Sequence, residues 1–330
     1  MRRRQFLAAA GAAAATMLAM PAVRAAVKLQ VLRLGINYVR DSQLGAGAAE
    51  FARQVEKNCG GRLRVELYPS NAAGGELEMM QDVAAGTLEM TFASSAVFAG
   101  LVPDLSIFDI PFLFRDVGHA RGVLDGEIGK AALAKLEPKG IIGLAWGENG
   151  LRHVTTTSKP VRKPDDLKGL KIRVPQSDVM VASFKAFGAD VQSLPFPDVY
   201  PALSSGAIQA QENPIATIVA ANFDRVQHNL CLTGHVYSPA AFILSKRVWD
   251  RIQPEDQPAL RAAALAGAKA SRDYLDRVDK SGVEELRKRG MTIIDDVDRP
   301  AFAAALSGIE GDFEKQFGKD KIDAIRAFGR

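Results

Sequence analysis

Hydrophobic residues recur along this chain with two alternating periods. Segments such as VLRLGIN (31–37) and GLKIRVP (169–175) alternate apolar and polar residues, which predicts β-strands. In the segment 45–58, apolar residues including Phe51 and Val55 follow a period of about 3.6 residues, which predicts a helix. The same alternation continues to the end of the chain and indicates an α/β fold.

Two segments are unusually long for their class. The apolar run LCLTGHVYSPAAFILS (230–245) is too long for one ordinary strand unless it crosses between sheets. The segment 255–288, rich in Ala, Arg and Asp, predicts a single long helix. With 330 residues the chain is long enough for a large core, and we expect two domains.

The first 25 residues, MRRRQFLAAAGAAAATMLAMPAVRA, differ from the rest. A basic head, an Ala-rich apolar middle and a small-residue end predict a signal peptide that is cleaved near Ala25, and therefore export to the periplasm. The run RRQFL from Arg3 resembles a twin-arginine export signal, with an ordinary export signal as the alternative. The segment carries four arginines and no acid, so the remainder has 38 basic and 38 acidic residues. This balance argues against nucleic acid or an anionic membrane as a partner.

Candidate chemical groups are few. Cys59 and Cys231 could pair in an exported protein, but their predicted positions, a helix end and a distant strand, favour two separate thiols. The four histidines lack metal-ligand spacing, and we find neither a nucleophile elbow nor a phosphate loop. We therefore expect a binding protein without cofactor or metal. An enzyme that acts on a carboxylate substrate through Glu212 or His153 is the alternative.

Arg173 interrupts the apolar end of the strand predicted over 169–175. A guanidinium stays charged in a protein, so a buried one needs an anion. That anion is either an internal acid, such as Glu212, or a group from outside the chain.

The pieces DLKGLKIRVP, PFPDVYPALSSG and QENP, in this order and spacing, resemble the extracytoplasmic solute-binding proteins of TRAP transporters, the DctP-like family. The segment GGELEMMQDVAAGTLEMTFASS resembles the family's N-terminal half. The resemblance covers essentially the whole chain after the signal. It implies a two-lobed periplasmic binding protein fold, with a ligand cleft between the lobes and a long bracing helix.

The resemblance also implies the limits of the lobes. The first lobe is expected over 27–149 with a return segment at about 239–278. The second lobe is expected over 150–238 and about 279–330.

The resemblance implies a ligand-binding role for several residues. Arg173 matches the arginine that forms a two-pronged salt bridge with the ligand carboxylate, and Asn213 matches an asparagine that also holds it. The other expected ligand-binding positions are Arg152, Phe196, Gln176, Ser94, Asn37 and Tyr38. Sialic-acid binders of the family have a glutamate at the position of Ser94, which argues against sialic acid here.

Together these features predict a periplasmic solute-binding subunit that delivers an organic acid to small and large TRAP permease subunits. The expected ligand is a sugar acid, a hydroxy or keto acid, or a small dicarboxylate, and the expected state is a monomer. A binding protein of an ATP-driven importer has a similar fold, but QENP and the arginine strand favour the TRAP family.

Overall fold

The computed structural model describes residues 29–329, so the predicted signal peptide lies outside the described residues. The strands are β1 (Gln30–Gly35), β2 (Leu63–Tyr68), β3 (Met90–Ser94), β4 (Ile141–Thr156), β5 (Lys171–Val174), β6 (Asp190–Ser193), β7 (Ala210–Pro214), β8 (Asn229–Ser245) and β9 (Thr292–Ile294). The helices are α1 (Gln43–Asn58), α2 (Glu76–Ala85), α3 (Val117–Asp125), α4 (Glu127–Ala134), α5 (Asp178–Ala186), α6 (Val199–Ser204), α7 (Ile215–Ala220), α8 (Lys246–Trp249), α9 (Gln257–Lys288), α10 (Arg299–Ala305), α11 (Ser307–Phe317) and α12 (Lys319–Ala327).

All of these strands belong to one mixed sheet with the order β2-β1-β3-β8-β4-β7-β5-β6, and β9 pairs with β8. We call the side with β1, β2 and β3 the first half and the side with β5, β6 and β7 the second half. The pairs within each half are parallel, whereas β3–β8, β4–β8 and β4–β7 are antiparallel. The run 230–245, expected to cross between sheets, therefore crosses between two halves of one sheet.

The long strands β4 and β8 join the halves. Their register shifts between Glu148 and Gly150, where the chain passes from one half to the other. Gly150 has φ 128°, a conformation that a residue with a side chain rarely adopts, and a Cβ there would lie 2.9 Å from Pro214. A β-bulge bends a strand and re-aims its side chains, so the crossing point is also a natural bend.

The 32-residue helix α9 packs along this crossing, as the long helical segment predicts. Its backbone touches that of α1, since a Cβ at Gly47 would lie 2.9 Å from the carbonyl oxygen of Gly267. Helix α1 begins at Gln43, two residues before the predicted start, because the Ser42 side chain accepts a hydrogen bond from the Gly45 N–H at 3.1 Å.

The last part of the chain divides between two hydrophobic cores. In the last part of the chain, Phe302 of α10 joins the core of the second half. Phe313 and Phe317 of α11 and Ile325 of α12 instead join the core beneath α2, α3 and α4 of the first half. The limits of the two lobes stay a prediction.

Cys59 and Cys231 are free and buried in different cores, in agreement with two separate thiols. In the part of the chain that the structure describes, no helix is long and apolar enough to cross a membrane.

Candidate functional site

Arg173 lies at the third position of β5, between β6 and β7, and is 3% exposed. Its Nε and Nη2 donate hydrogen bonds to the Leu194 carbonyl oxygen at 2.9 and 2.7 Å. Within residues 29–329 it forms no ion pair. Burial lowers the pKa of Arg173 to about 10, and the nearby charge of Glu212 only partly opposes this effect. The Leu194 carbonyl thus binds this guanidinium, but no acidic side chain of residues 29–329 pairs with its charge.

Arg152 on β4 is equally buried but has a partner. Its Nε and Nη2 donate to the two carboxylate oxygens of Glu212 at 2.5 and 2.7 Å. His235 lies 3.1 Å from the same carboxylate through its Nε2. Burial alone would raise the pKa of Glu212, but Arg152 and His235 outweigh it, and the net shift is downward. The internal acid that the sequence offered to Arg173 is therefore bound to Arg152.

Asn213 lies in β7 beside Glu212, and only 1% of it is exposed. Its Nδ2 donates to the side-chain oxygen of Gln211 at 2.6 Å, and its Oδ1 accepts from Arg152 at 3.3 Å. The amide is thus held in orientation by its own strand and by the neighbouring strand. Arg152, Arg173, Glu212, Asn213 and His235 form what we call the arginine cluster.

Asn37 contributes a polar group from the first half. It follows β1, is 2% exposed, and has no hydrogen-bond partner for either its Oδ1 or its Nδ2 in the described part of the chain. A buried amide without partners costs about 1–3 kcal/mol per unsatisfied group, so such a residue is expected where another molecule supplies the partner.

The halves meet next to Asn37. The ring of Tyr38 packs edge-on against Phe196 of the second half, with 4.7 Å between ring centroids. Burial raises the pKa of Tyr38, and the charge of Glu76 adds to this effect. Tyr38 and Phe196 therefore form one aromatic boundary of the site.

Ser94 ends β3 and is held by a residue that sequence analysis missed. Its N–H and its hydroxyl donate to the two oxygens of Glu76 at 3.0 and 2.9 Å. Glu76 is half-buried. Burial raises its pKa, and the hydrogen bonds from Ser94 and the charges of Arg173 and Arg152 oppose this effect.

A topological signal could have identified Glu76. It is the first residue of α2, and α2 leads directly into β3. A helix that precedes a strand and packs on it runs in the opposite direction, so its first turn lies near the end of that strand. Glu78, two residues further along α2, is exposed, and its carboxylate accepts a hydrogen bond from the N–H of Gly75 at 3.3 Å.

Of the remaining predicted positions, Phe196 is half-buried and Gln176 is exposed just beyond β5. Contacts and electrostatic interactions link Tyr38, Ser94, Arg152, Arg173, Phe196 and Asn213 at one site, directly or through Glu76, and Asn37 precedes Tyr38, whereas Gln176 is exposed beyond it. Their roles in ligand binding stay predictions. Among residues 29–329 no group of three or more His, Cys, Asp or Glu side chains is arranged to hold a metal ion.

Comparisons with known proteins agree with this architecture. The family model for bacterial extracellular solute-binding proteins, family 7, matches residues 35–316. A solute-binding protein of Verminephrobacter eiseniae (strain EF01-2) is 44% identical over 90% of this chain and 88% of its own length. The 2,3-diketo-L-gulonate-binding periplasmic protein of Escherichia coli (strain K12) is 38% identical over 84% of both chains.

Among solved structures, a TRAP periplasmic solute-binding protein from Polaromonas sp. JS666 bound to D-erythronate is 40% identical to this chain. It superposes with a TM-score of 0.90 over 91% of this chain and 99% of that one. This agreement confirms the two-lobed α/β fold that the sequence motifs imply. The chain belongs to the solute-binding proteins of TRAP transporters, bacterial extracellular family 7.

Proposed function

We propose that this protein binds an organic acid in the periplasm through its carboxylate and delivers it to the membrane subunits of a TRAP transporter. The observation that carries the proposal is the buried charge of Arg173, which has no anionic partner in the described chain. A ligand carboxylate would supply that partner. Planar carboxylate and planar guanidinium match in geometry, and such charge-assisted bonds are strong away from water.

The neighbours of Arg173 support this assignment. Asn213 is fixed by Gln211 and Arg152 and can bind a carboxylate oxygen without losing side-chain freedom. Asn37 offers the two N–H donors and the oxygen of an unpaired amide to the rest of the ligand. The similar protein from Escherichia coli is named for binding 2,3-diketo-L-gulonate, and the one from Polaromonas is bound to D-erythronate. Each of these acids has one carboxylate, which could bind Arg173, and several polar groups, which could bind residues such as Asn37.

A matched pair of ligands tests the proposal. D-Erythronate and erythritol have the same four-carbon chain, but only the first has a carboxylate. In a thermal-shift screen of organic acids and their neutral alcohols, we expect the unfolding temperature to rise with one or more acids and not with the corresponding alcohol. At a hundredfold excess over Kd, the expected stabilisation is about 2.7 kcal/mol. Equal shifts for acid and alcohol, or no shift with any acid, would contradict the proposal.

A second measurement separates binding from catalysis. We expect NMR spectra of the best acid to show no new product after prolonged incubation with the protein, since a delivery protein returns its ligand unchanged. Product formation at a rate proportional to protein concentration would favour the enzyme alternative. Uptake by cells that express the neighbouring membrane subunits, with and without this protein, would test the delivery step.

The delivery step also implies motion. Contacts such as Tyr38–Phe196 and the 2.9 Å hydrogen bond from Gln43 to Thr217 join the two halves. We propose that ligand stabilises these contacts and that the halves separate about the β4–β8 crossing without it. Small-angle scattering should show a smaller radius of gyration with the best acid than without ligand, and an unchanged radius would contradict closure.

A further inference from the structure

A row of four buried polar side chains begins at Asn213 and leads away from the arginine cluster. The Asn213 Nδ2 donates to Oε1 of Gln211 at 2.6 Å, and the Gln211 Nε2 donates to the Thr155 hydroxyl at 2.8 Å. The Thr155 hydroxyl donates to Oε1 of Gln227 at 2.9 Å. Each of the four residues is at most 1% exposed. We call Asn213, Gln211, Thr155 and Gln227 the amide network.

The register of the strands places this network on the face of the sheet that carries Arg173. Gln211 and Asn213 are two residues apart on β7, so their side chains lie on the same face. Gln211 pairs with Thr155 of β4 on one side and with Arg173 of β5 on the other, and residues paired across strands share a face. Gln227 lies two residues before β8, which pairs with β4.

The outer end of the network fixes the direction of its hydrogen bonds. The Gln227 Nε2 faces the carbonyl oxygens of Val226 at 2.9 Å and Gln209 at 3.4 Å, and a carbonyl can only accept. The Gln227 side chain must therefore turn its oxygen towards Thr155. The Thr155 hydroxyl then donates to Gln227 and accepts from the nitrogen of Gln211, so Gln211 presents its oxygen at the inner end.

The inner end requires the same direction. The Gln211 oxygen can only accept, so the Asn213 nitrogen must face it. Arg152 can only donate, and it lies 3.3 Å from the Asn213 oxygen. One of the two N–H groups of Asn213 thus binds Gln211, and the second has no acceptor within residues 29–329. Asn213 therefore keeps a free donor, and its oxygen is already occupied.

We propose that Gln211 and Thr155 are positioning residues, which hold Asn213 in the orientation that offers an N–H to the ligand carboxylate. The inference rests on the proposed function, because a carboxylate bound at Arg173 is the acceptor that this N–H meets. An Asn213 amide turned over would present its oxygen to the anion, and the two negative groups would repel each other. The network selects the productive orientation before the ligand arrives, so the ligand does not have to order this side chain.

The Thr155 hydroxyl is the link that transmits this direction. Without it, the Gln211 amide no longer senses the carbonyl groups around Gln227 and is free to turn its nitrogen towards Asn213. Arg152 still favours the productive orientation of Asn213. Loss of the hydroxyl should therefore weaken carboxylate binding without abolishing it.

Thr155→Val removes the hydroxyl and keeps the shape of the side chain. We measure affinity by titration calorimetry at pH 7.5 with D-erythronate, with succinate and with any further acid that the thermal-shift screen identifies. Every acid that binds should lose about three- to tenfold in affinity, by one common factor, because each uses the same carboxylate site. Thr155→Ser restores the hydroxyl and should bind within about twofold of wild type.

Thr156→Val is the matched control. Thr156 is the next residue of β4 and is fully buried. Its hydroxyl also has two partners, since it donates to the Lys159 carbonyl oxygen at 2.6 Å and accepts from the Asn229 Nδ2 at 3.1 Å. It lies outside the amide network, so Thr156→Val should lower the unfolding temperature about as much as Thr155→Val and leave the affinities unchanged. Equal weakening of binding in both variants would overturn the inference.

A double-mutant cycle tests whether Thr155 acts through Asn213. In Asn213→Ala the network has no amide left to orient, so the addition of Thr155→Val should not weaken binding further. The inference is wrong if the second substitution weakens binding as much as it does in the wild-type background, or if Thr155→Val binds like wild type. If Thr155→Val does not fold, Gln211→Met breaks the network at its next link and should give the same cycle.

Failure of this inference differs from failure of the proposed function. If Thr155→Val binds normally while Arg173→Met strongly weakens binding of each acid, the proposed function holds and only the role of the network is refuted. If no acid of a wider panel binds the wild-type protein, the proposed function is overturned and this inference with it.

Discussion

Arg152 and Arg173 are each 3% exposed and lie on neighbouring parts of the same sheet, but their hydrogen-bond partners differ. Arg152 has a carboxylate held by two short hydrogen bonds, whereas Arg173 has a single backbone carbonyl. A buried ion pair approximately compensates its own desolvation, while an isolated buried charge does not. Arg152 is therefore neutralised within the chain, whereas Arg173 lacks a charged partner in the described residues, as expected if the proposed ligand carboxylate supplies it.

Removal of the acid that neutralises Arg152 should have the largest effect. Glu212→Gln leaves a buried guanidinium without a charged partner, and we expect a loss of about 3–5 kcal/mol in the free energy of unfolding, measured by urea denaturation. The matched control is Asp273→Asn, which breaks the exposed pair with Lys269 and should cost less than about 1 kcal/mol.

A double-mutant cycle covers the case in which Glu212→Gln unfolds outright. Arg152→Met combined with Glu212→Gln should be more stable than Glu212→Gln alone, because the unpaired charge is gone. If Glu212→Gln costs no more than Asp273→Asn, the two arginines do not differ in the way we describe.

Arg173→Met should show the opposite pattern. We expect a loss of about 2–5 kcal/mol in the free energy of binding for every carboxylate ligand. The ligand-free protein should be at least as stable as wild type, because an uncompensated buried charge has been replaced by an apolar side chain. Calorimetric titration and ligand-free thermal unfolding give the two values. Arg173→Lys should also bind poorly, since an ammonium cannot form two parallel bonds. Normal binding, or unfolding, in Arg173→Met would make Arg173 a structural residue.

The two arginines show which features of the structure could be predicted from the sequence and which could not. Local pattern predicted the strand that carries Arg173 and the long helix α9, because hydrophobic period and end signals are local. The partner of Glu212 could not be predicted in this way. It depends on the register of β4 against β7, which pairs Val154 with Glu212 across nearly 60 residues of sequence and brings Arg152 within reach.

The same limit applies to other parts of the chain. The run 230–245 belongs to one continuous 17-residue strand of a single sheet, so the expected crossing between two sheets was wrong. Local pattern does not say whether such a run joins two sheets or two halves of one. The amphipathic faces of α11 and α12 do not specify which core they cover, and the structure places them on the first half. Glu76 was missed because its position at the site depends on the packing of α2 against the end of β3.

Asp109 extends the comparison to a buried acid. It is 2% exposed and accepts hydrogen bonds from the hydroxyls of Ser95 and Ser177 at 2.8 and 3.1 Å, and in the described chain it has no cationic partner. Burial raises its pKa to about 6, and the two hydroxyls and Arg152 oppose that effect only partly. Like Arg173, it is a charge solvated by dipoles alone.

The sign of its pH dependence follows. The pKa in the folded state is above the unfolded value of 3.8, so the folded state holds the proton more tightly. The cost of the buried carboxylate is present above pH 6 and disappears as the pH falls towards 4. Asp109→Asn should therefore gain about 1–3 kcal/mol of stability relative to wild type at pH 7.5 and little at pH 4. Urea denaturation at the two pH values measures this difference, and equal effects at both would refute it.

The smallest expected effect concerns Ser94, whose hydroxyl is one of the two groups that hold Glu76. Ser94→Ala removes that donor and leaves the hydrogen bond from the Ser94 N–H in place. The loss of one hydrogen bond to a partly exposed carboxylate typically costs about 0.5–1.5 kcal/mol, which corresponds to a few-fold weaker binding of a hydroxy acid. We expect Ser94 to act on the part of the ligand beyond its carboxylate, so an acid without hydroxyl groups, such as butyrate, should bind as before. Ser94→Ala should therefore change the ranking of acids in a calorimetric panel more than it changes the unfolding temperature. Equal weakening of every acid would instead place Ser94, like Arg173, among the residues that bind the common carboxylate. It would contradict the expectation that Ser94, in the first half of the sheet, acts on the rest of the ligand.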